Sequence, residues 1–275
     1  VETVRKAVPE MHIHAFSPLE VWQGAQTLNI GLEEFLTKLQ SAGLNTLPGT
    51  AAEILHDDVR KILCHDKLNT AEWLEVMRVA HSVGFRTTAT IMYGHIESPH
   101  HWASHLCAIR DLQQQTGGFT EFVPLPYVHM EAPMYLKGRS RKGPSFREAI
   151  LMHAVARLVF GELIPNIQAS WVKMGRGGVE MCLNAGANDL GGSLMNESIT
   201  RAAGSGFGQE WHPSAIEDTI KSMNRQARMR NTVYGDASTE RRASALKLSE
   251  LSTVENLTAG KKQRSKKLID LAEVS

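Results

Sequence analysis

Arg86-Thr-Thr-Ala-Thr-Ile-Met-Tyr-Gly-His-Ile-Glu97 is the stretch that decides the fold. Short β-branched runs bounded by Gly and Pro read as buried strands. This run ends in Tyr93, Gly94, His95 and Glu97, and Ser98-Pro99 then opens a helix. Polar residues gathered where a strand meets the next helix mark the working end of an α/β barrel. The layout recurs at Met11-His-Ile-His-Ala-Phe-Ser-Pro-Leu-Glu20 and at Gly118-Phe-Thr-Glu-Phe-Val-Pro-Leu-Pro-Tyr-Val-His129. Several such strand ends in series predict one site assembled from many strands.

Outward from that stretch the chain alternates strand and helix. His12 to Phe16 reads as a first strand. Ser17, Pro18 and Glu20 then supply an N-cap, a first helical position and a capping box. Val21, Ala25, Leu28, Leu32, Phe35 and Leu39 follow at helical spacing, and Ala42-Gly43 ends that helix. Leu44 to Leu47 is a weak second strand. Asn69 to Glu72 and Ser145 to Glu148 are two further capping boxes, and Ser98-Pro99 caps a helix that ends at Gly117-Gly118. Phe119 to Val123, Asn166 to Trp171 and Ala187 to Leu190 read as strands. Val179 to Asn184 reads as a short helix, and Pro124 to Pro144 as a long, functional loop.

Alternating β and α units imply a parallel sheet. The fold class predicted is α/β, a partial (βα) TIM-type barrel. About five strand-helix units are legible, and a closed barrel has eight. The missing ones are expected before Val1, whose following residues, Glu2 to Pro9, read as the end of a helix. Residues 1–235 would form the barrel part. Residues 236–275, with Lys261-Lys-Gln-Arg-Ser-Lys-Lys267, lose apolar periodicity and read as a low-order basic tail.

Composition excludes several classes. Hydrophobic content of 42% and charge of 21% are those of a globular domain, and 275 residues bury a substantial core. A net charge of +1 gives no footing for nucleic acid or an acidic membrane surface. No apolar run approaches the roughly 20 residues that span a bilayer. Cys64, Cys107 and Cys182 lie far apart with no CxxC, which predicts the cytoplasm or another reducing compartment. An organelle address upstream of Val1 is compatible with this.

The candidate chemistry follows from strand faces. His12 and His14 are two apart and share one face, with Met11, Ile13 and Ala15 turned under the helices. An HxH pair on a strand suits substrate hydrogen bonding, or a metal if later strands add ligands. Thr88 and Thr90 share a face, as do Asn166, Gln168 and Ser170. Inward polar groups require a neighbour, water or ligand. Glu121 is the one carboxylate inside an apolar strand, and Arg86 or Lys173 would partner it. Asn188 and Asp189, in Gly186-Ala-Asn-Asp-Leu-Gly-Gly192, would suit a ribose or an amino group. That stretch lacks phosphate-loop spacing. Trp22, Trp73 and Trp102 read as core.

Whole segments carry a family resemblance. They are His12-Ile-His-Ala-Phe-Ser-Pro-Leu-Glu20, Leu47-Pro-Gly-Thr-Ala-Ala-Glu-Ile-Leu55, Thr87-Thr-Ala-Thr-Ile-Met-Tyr-Gly-His95, Gly117-Gly-Phe-Thr-Glu-Phe-Val-Pro-Leu-Pro126 and Ala185-Gly-Ala-Asn-Asp-Leu-Gly-Gly192. Over roughly Val8 to Tyr234 the chain resembles the C-terminal part of the FO synthase subunit 2 family. Aminofutalosine synthases of menaquinone biosynthesis are similar but match less closely around Gly117 to Met134.

The resemblance implies a radical S-adenosylmethionine barrel with a 4Fe-4S cluster. A 5′-deoxyadenosyl radical would take hydrogen from L-tyrosine. The 4-hydroxybenzyl group would pass to 5-amino-6-(D-ribitylamino)uracil. FO synthase subunit 1, separate or fused, would close the deazaflavin ring. Thr88 and Thr90 would line the adenosyl space. His12, His14, Tyr93, His95, Glu97, Glu121, Gln168, Ser170, Asn188 and Asp189 would hold substrates, with Glu197 near the ribityl chain. The family's CxxxCxxC is absent here, so the cluster ligands are expected upstream of Val1, and this chain alone should be inactive. Two other readings stand beside it: a metal-dependent barrel hydrolase using His12 and His14, and a non-catalytic remnant that binds a partner.

Overall fold

The computed structural model describes residues 1–194 and 197–249. Three parallel strands form the sheet, in the order β1 (Thr46–Leu47), β2 (Arg86–Tyr93) and β3 (Phe119–Pro126). Isolated parallel bridges extend it on both sides. His14 lies beside Thr46, Ile167 beside Phe122, and Asp189 beside Gln168. Six consecutive chain segments therefore run parallel, with helices between most of them. This is the α/β alternation predicted, with weaker outer strands. His12 to Phe16 and Asn166 to Trp171 shrink to bridges, because Phe16 turns to φ +66 and Trp171 already begins a helix.

The helices are α1 (Glu2–Ala7), α2 (Pro18–Leu28), α3 (Leu32–Ser41), α4 (Asp57–Leu63), α5 (Thr70–Val83) and α6 (Pro99–Thr116) in the first half. The second half carries α7 (Pro133–Leu136), α8 (Phe146–Phe160), α9 (Trp171–Asn184), α10 (Ile199–Ala202), α11 (Pro213–Ser222) and α12 (Thr239–Leu246). Capping boxes form at Ser17/Glu20, Asn69/Glu72 and Ser145/Glu148. Each closes two orphan amides at a helix start. The single helix expected from Val21 to Leu39 is two, because Asn29 caps α2 in the left-handed region at φ 52 and Gly31 starts α3. Helix α4 lacked an apolar stripe long enough to predict. The short helix expected at Val179 to Asn184 is the second half of α9, which kinks at Gly175. A helix, α12, occupies part of the stretch expected to be tail. The lysine run at 261–267 lies outside the described residues.

One sheet face packs under the helices. Leu47, Ala89, Ile91, Tyr93, Phe122 and Ile167 are buried in one apolar cluster with Val76, Met77 and Ala80 of α5, Leu106 and Ile109 of α6, Met152 and Ala156 of α8 and Val179 of α9. Trp73 is fully buried and Trp102 nearly so, while Trp22 packs half-buried on the same cluster. Each such side chain contributes roughly 1.5–3 kcal/mol of burial. Residues alternate faces along a strand, so Thr88, Thr90, Glu121 and Val123 turn to the opposite face. Met11 departs from its expected place beneath the helices and is 45% exposed. It precedes the bridge at His14 and has no neighbouring strand to hold it. No helix among the described residues is long and apolar enough to cross a membrane.

Candidate functional site

The polar face of the sheet and its strand ends gather most of the predicted residues, in separate groups. At its first edge Thr46 Oγ lies 2.7 Å from His12 Nε2 and 2.7 Å from His14 Nδ1. One hydroxyl thus joins both imidazoles, donating to one and accepting from the other. Burial lowers the pKa of both, helped at His12 by the Arg5 charge and at His14 by His12. Both rings remain exposed to solvent. No group of three or more His, Cys, Asp or Glu side chains that could hold a metal forms among the described residues.

On β2 the threonines clasp the turn after β1. Thr88 Oγ accepts from the Gly49 amide at 2.8 Å, and Thr90 Oγ donates to the Gly49 carbonyl at 2.6 Å. Both are buried. Their hydroxyls therefore anchor backbone, although Thr88 keeps a proton to donate.

The end of β2 is a closed knot. The Glu97 carboxylate accepts from the amides of Gly94, His95 (2.9 Å) and Ile96 (3.0 Å), and from Trp102 Nε1 at 2.9 Å. Burial alone would raise its pKa. The donors around His95, Gly94 and Trp102 outweigh burial and hold it well below the carboxylate range. His95 is buried with its ring tilted over Tyr127 at 4.2 Å between centroids, and its Nδ1 has no hydrogen-bond partner. Tyr93 is wholly enclosed, edge-on to Trp102, its hydroxyl unpartnered and its pKa raised chiefly by burial. Glu97 thus organises the loop, and Tyr93 faces the helix-side core.

A third group joins residues far apart in sequence. The Tyr234 hydroxyl meets Glu121 Oε2 and Asp189 Oδ2 together. Arg230 reaches Asp189 Oδ2 with Nε at 2.9 Å and Nη2 at 2.5 Å, and its Nη2 lies 3.4 Å from Glu121 Oε2. Gln168 Nε2 also lies 3.4 Å from Glu121. Burial and then the Asp189 charge raise the Glu121 pKa, against the Tyr234 and Arg230 contacts. The partners expected for Glu121 are corrected here. Arg86 instead donates to the Gly117 carbonyl, and Lys173 lines a cleft elsewhere. Arg230 and Tyr234 come from a turn closed by Asn231 and Gly235, in sequence without helical or strand periodicity. Only their being an Arg and a Tyr near an orphan carboxylate could have flagged them.

Of the remaining predicted residues, Asn188 is structural in its contacts. Its Oδ1 accepts from the Ile167 amide at 2.8 Å and from Arg157 at 3.1 Å, and its Nδ2 donates to the Pro165 carbonyl. Ser170 is buried at the start of α9. Glu197 accepts from the Thr200 amide at 3.0 and 3.1 Å. The structure thus brings together Glu121, Gln168 and Asp189, and separately His12 and His14.

Residues 116–242 match the family described as the CofH/MqnC C-terminal region. That span holds Glu121, Gln168, Asp189, Arg230 and Tyr234. Over 234 residues the chain is 48% identical to the 5-amino-6-(D-ribitylamino)uracil--L-tyrosine 4-hydroxyphenyl transferase of Methanopyrus kandleri, covering 85% of this chain and 63% of that protein. It is 48% identical over 235 residues to the FO synthase of Nocardia farcinica, covering 86% of this chain and 27% of that protein. The FO synthase of Mycobacterium tuberculosis (strain H37Rv) is 48% identical over 234 residues, again across 27% of its length. The chain therefore spans less than two thirds of the length of these relatives. Methylornithine synthase (PylB) shares the fold with a TM-score of 0.58 at 16% identity, over 89% of this chain and 64% of that one.

Proposed function

We propose, from the match of residues 116–242 to the CofH/MqnC C-terminal region, that the chain supplies part of a radical S-adenosylmethionine transferase. The reaction joins the 4-hydroxybenzyl group of L-tyrosine to 5-amino-6-(D-ribitylamino)uracil, on the way to FO. The observation that carries this is the 48% identity over 234 residues with a protein of that activity. We read the six parallel segments as part of the barrel of such an enzyme, and their polar face as its interior.

The cofactors divide by fit. Cys64 caps α4, Cys107 lies in α6 and Cys182 in α9, so the three thiols sit on separate elements. Cys64 and Cys182 are buried and unpaired. These residues do not fit a 4Fe-4S cluster. The relatives are longer than this chain, and the proposal assigns the cluster ligands to a segment of the whole protein outside it. The adenosyl group of S-adenosylmethionine would lie on the face that carries Thr88 and Thr90.

What this chain contributes is positioning and exclusion of water. Glu121 and Asp189, held by Arg230 and Tyr234, offer hydrogen-bond acceptors fixed in place for a polar substrate. His12 and His14 offer exposed ring nitrogens on the same face. The deazaflavin ring would be closed by subunit 1. Relatives of which this chain covers 27% and 63% fit a fused and a separate arrangement respectively. Three free thiols suit a reducing compartment such as the cytoplasm.

The hydrolase alternative needs a third ligand beside His12 and His14, and the described residues form none. The aminofutalosine-type alternative draws no support from the names of the relatives compared above. The test is the whole gene product, purified without oxygen and reconstituted with iron and sulfide. Given S-adenosylmethionine, tyrosine and 5-amino-6-(D-ribitylamino)uracil, it should form the 4-hydroxybenzyl adduct. Formation of 5′-deoxyadenosine without that adduct would overturn the proposed substrates.

A further inference from the structure

A cleft of about 280 Å³ lies at the C-terminal end of β3, away from the Glu121 group. It is lined by Tyr127, His129 and Met130 after the strand, Lys142 and Phe146 before and within α8, Lys173 and Met174 of α9, and Phe207. In open parallel α/β sheets ligands bind outside the carboxyl ends of the strands. None of the residues assigned above to substrates lines this cleft.

Its chemistry is one-sided. The ionisable side chains on its walls are His129, Tyr127 and the two lysines, and no carboxylate lines it. Lys173 is half-buried, and its ammonium forms no hydrogen bond or ion pair among the described residues. Burial lowers its pKa, and Glu197 is the acid whose charge opposes this. That carboxylate already accepts from the Thr200 amide. The same walls carry apolar side chains that the fold leaves open to water: Phe146 is 55% exposed and Phe207 49% exposed. Phe207 is seated by Gly175, where a Cβ would come within 2.6 Å of the ring. An ammonium that shares a cleft with exposed aromatic rings, on walls that carry no carboxylate, is complementary to an anion that carries an aromatic ring. The volume lies just below the roughly 300–1,000 Å³ of ligand pockets. It suits one ring with a short acidic arm, not a nucleoside joined to an amino acid.

We propose that this cleft binds the carboxylate of a single-ring aromatic acid at the Lys173 ammonium, with Phe146 and Phe207 against the ring. Resting on the transferase reading, the assignment makes it the seat of L-tyrosine and Lys173 a substrate-positioning residue. Lys142, exposed at the rim, adds long-range attraction only.

The test is calorimetric titration of the whole gene product with L-tyrosine, tyramine and inorganic phosphate. L-Tyrosine should bind, and tyramine, which lacks the carboxylate, should not. Lys173→Met should weaken L-tyrosine by about tenfold or more, the loss of a charge-assisted hydrogen bond. Lys173→Arg should restore most of the affinity, and Lys142→Met should change it by less than about threefold. Thermal melts of both Lys173 variants should match the parent, which separates a binding loss from misfolding. Equal binding of tyramine, equal binding of phosphate, or an unaltered Lys173→Met affinity would each overturn the proposal. Tyrosine binding that follows this pattern with no adduct from the whole gene product would sink the reaction and leave the cleft. Adduct formation with an unchanged KM for tyrosine in Lys173→Met would sink the cleft alone.

Discussion

Arg230 grips Asp189 with two guanidinium nitrogens on a single carboxylate oxygen, Nε at 2.9 Å and Nη2 at 2.5 Å, from 41 residues away. The same guanidinium lies over the Tyr234 ring at 4.0 Å, and that ring's hydroxyl joins Asp189 to Glu121. Two mostly buried carboxylates converge here, and among the described residues Arg230 is the cation paired with both. Their side chains are 9% and 12% exposed. Removing one partner of a buried pair leaves uncompensated charge and costs about 3 kcal/mol. Arg230→Met should lower unfolding free energy in urea by about that amount. Adding Glu121→Gln should recover about 1 kcal/mol or more, because it removes one of the stranded charges. Purely additive losses would show that the two residues are not coupled.

Glu97 gives a second prediction. Its side chain is fully enclosed and accepts four donors, three of them consecutive backbone amides. A neutral amide there would turn an NH₂ toward those donors. Glu97→Gln should cost about 2–3 kcal/mol, the range for a hydrogen bond to a charged group plus stranded donors. Because the donors hold the Glu97 pKa below its ordinary value of 4.5, its contribution is intact at neutral pH and begins to fade as pH falls below that ordinary value. Urea melts at pH 7 and pH 4 should therefore show a smaller penalty for the variant at the lower pH.

Much of this was legible beforehand, for local reasons. The three capping boxes are four-residue signals and all form. The strand at Arg86 and its polar end were legible because β-branched runs and Gly94 act over a few residues. What was not legible is non-local. The partners of Glu121 are 109 and 113 residues on, in a turn without periodicity. Lys173 reads from sequence as a partner for Glu121, and only the fold places it in one cleft with Phe207, 34 residues on. The break at Asn29 inside one continuous apolar stripe hid because Asn adopts the left-handed region at modest cost, leaving the stripe's spacing intact.

Two histidines set a pH dependence, His81 partly buried and His105 wholly so. His81 bonds Thr116 and Thr87 through its two ring nitrogens, and burial brings its pKa down to about 4. His105 is completely buried, accepts from the Leu55 amide at 3.0 Å, and is pushed down to about 3. Unfolded, both titrate near 6.5. Between that value and about 4 the unfolded state binds more protons, so stability rises with pH and is lost as pH falls through the window. The slope is about 1.4 kcal/mol per pH unit for each histidine once the unfolded ring is protonated. Glu121, with its raised pKa, contributes with the opposite sign. The histidine share is therefore isolated by comparison. Between pH 6 and 5, His81→Gln should have a slope shallower than the parent's by about 1 kcal/mol per unit. An unchanged slope would mean that His81 is protonated in the folded chain.

Thr88 and Gly49 lead to the last prediction, which separates anchoring from ligand contact. The Gly49 amide donates to Thr88 Oγ at 2.8 Å, and a Cβ at Gly49 would press into the Thr88 carbonyl. The turn after β1 is thus pinned against β2 at a backbone approach only glycine permits. Gly49→Ala must push β1 from β2 and should cost about 3 kcal/mol or more, as overpacking against rigid backbone does. Thr88→Val keeps the shape, strands the Gly49 amide and should cost about 1–2 kcal/mol. If the hydroxyl also serves the adenosyl group, Thr88→Val in the whole gene product should raise the KM for S-adenosylmethionine. Gly49→Ala, where it remains folded, should raise it too by shifting Thr88. A Thr88→Val protein with its stability lowered and that KM unchanged would assign the hydroxyl to the clasp alone.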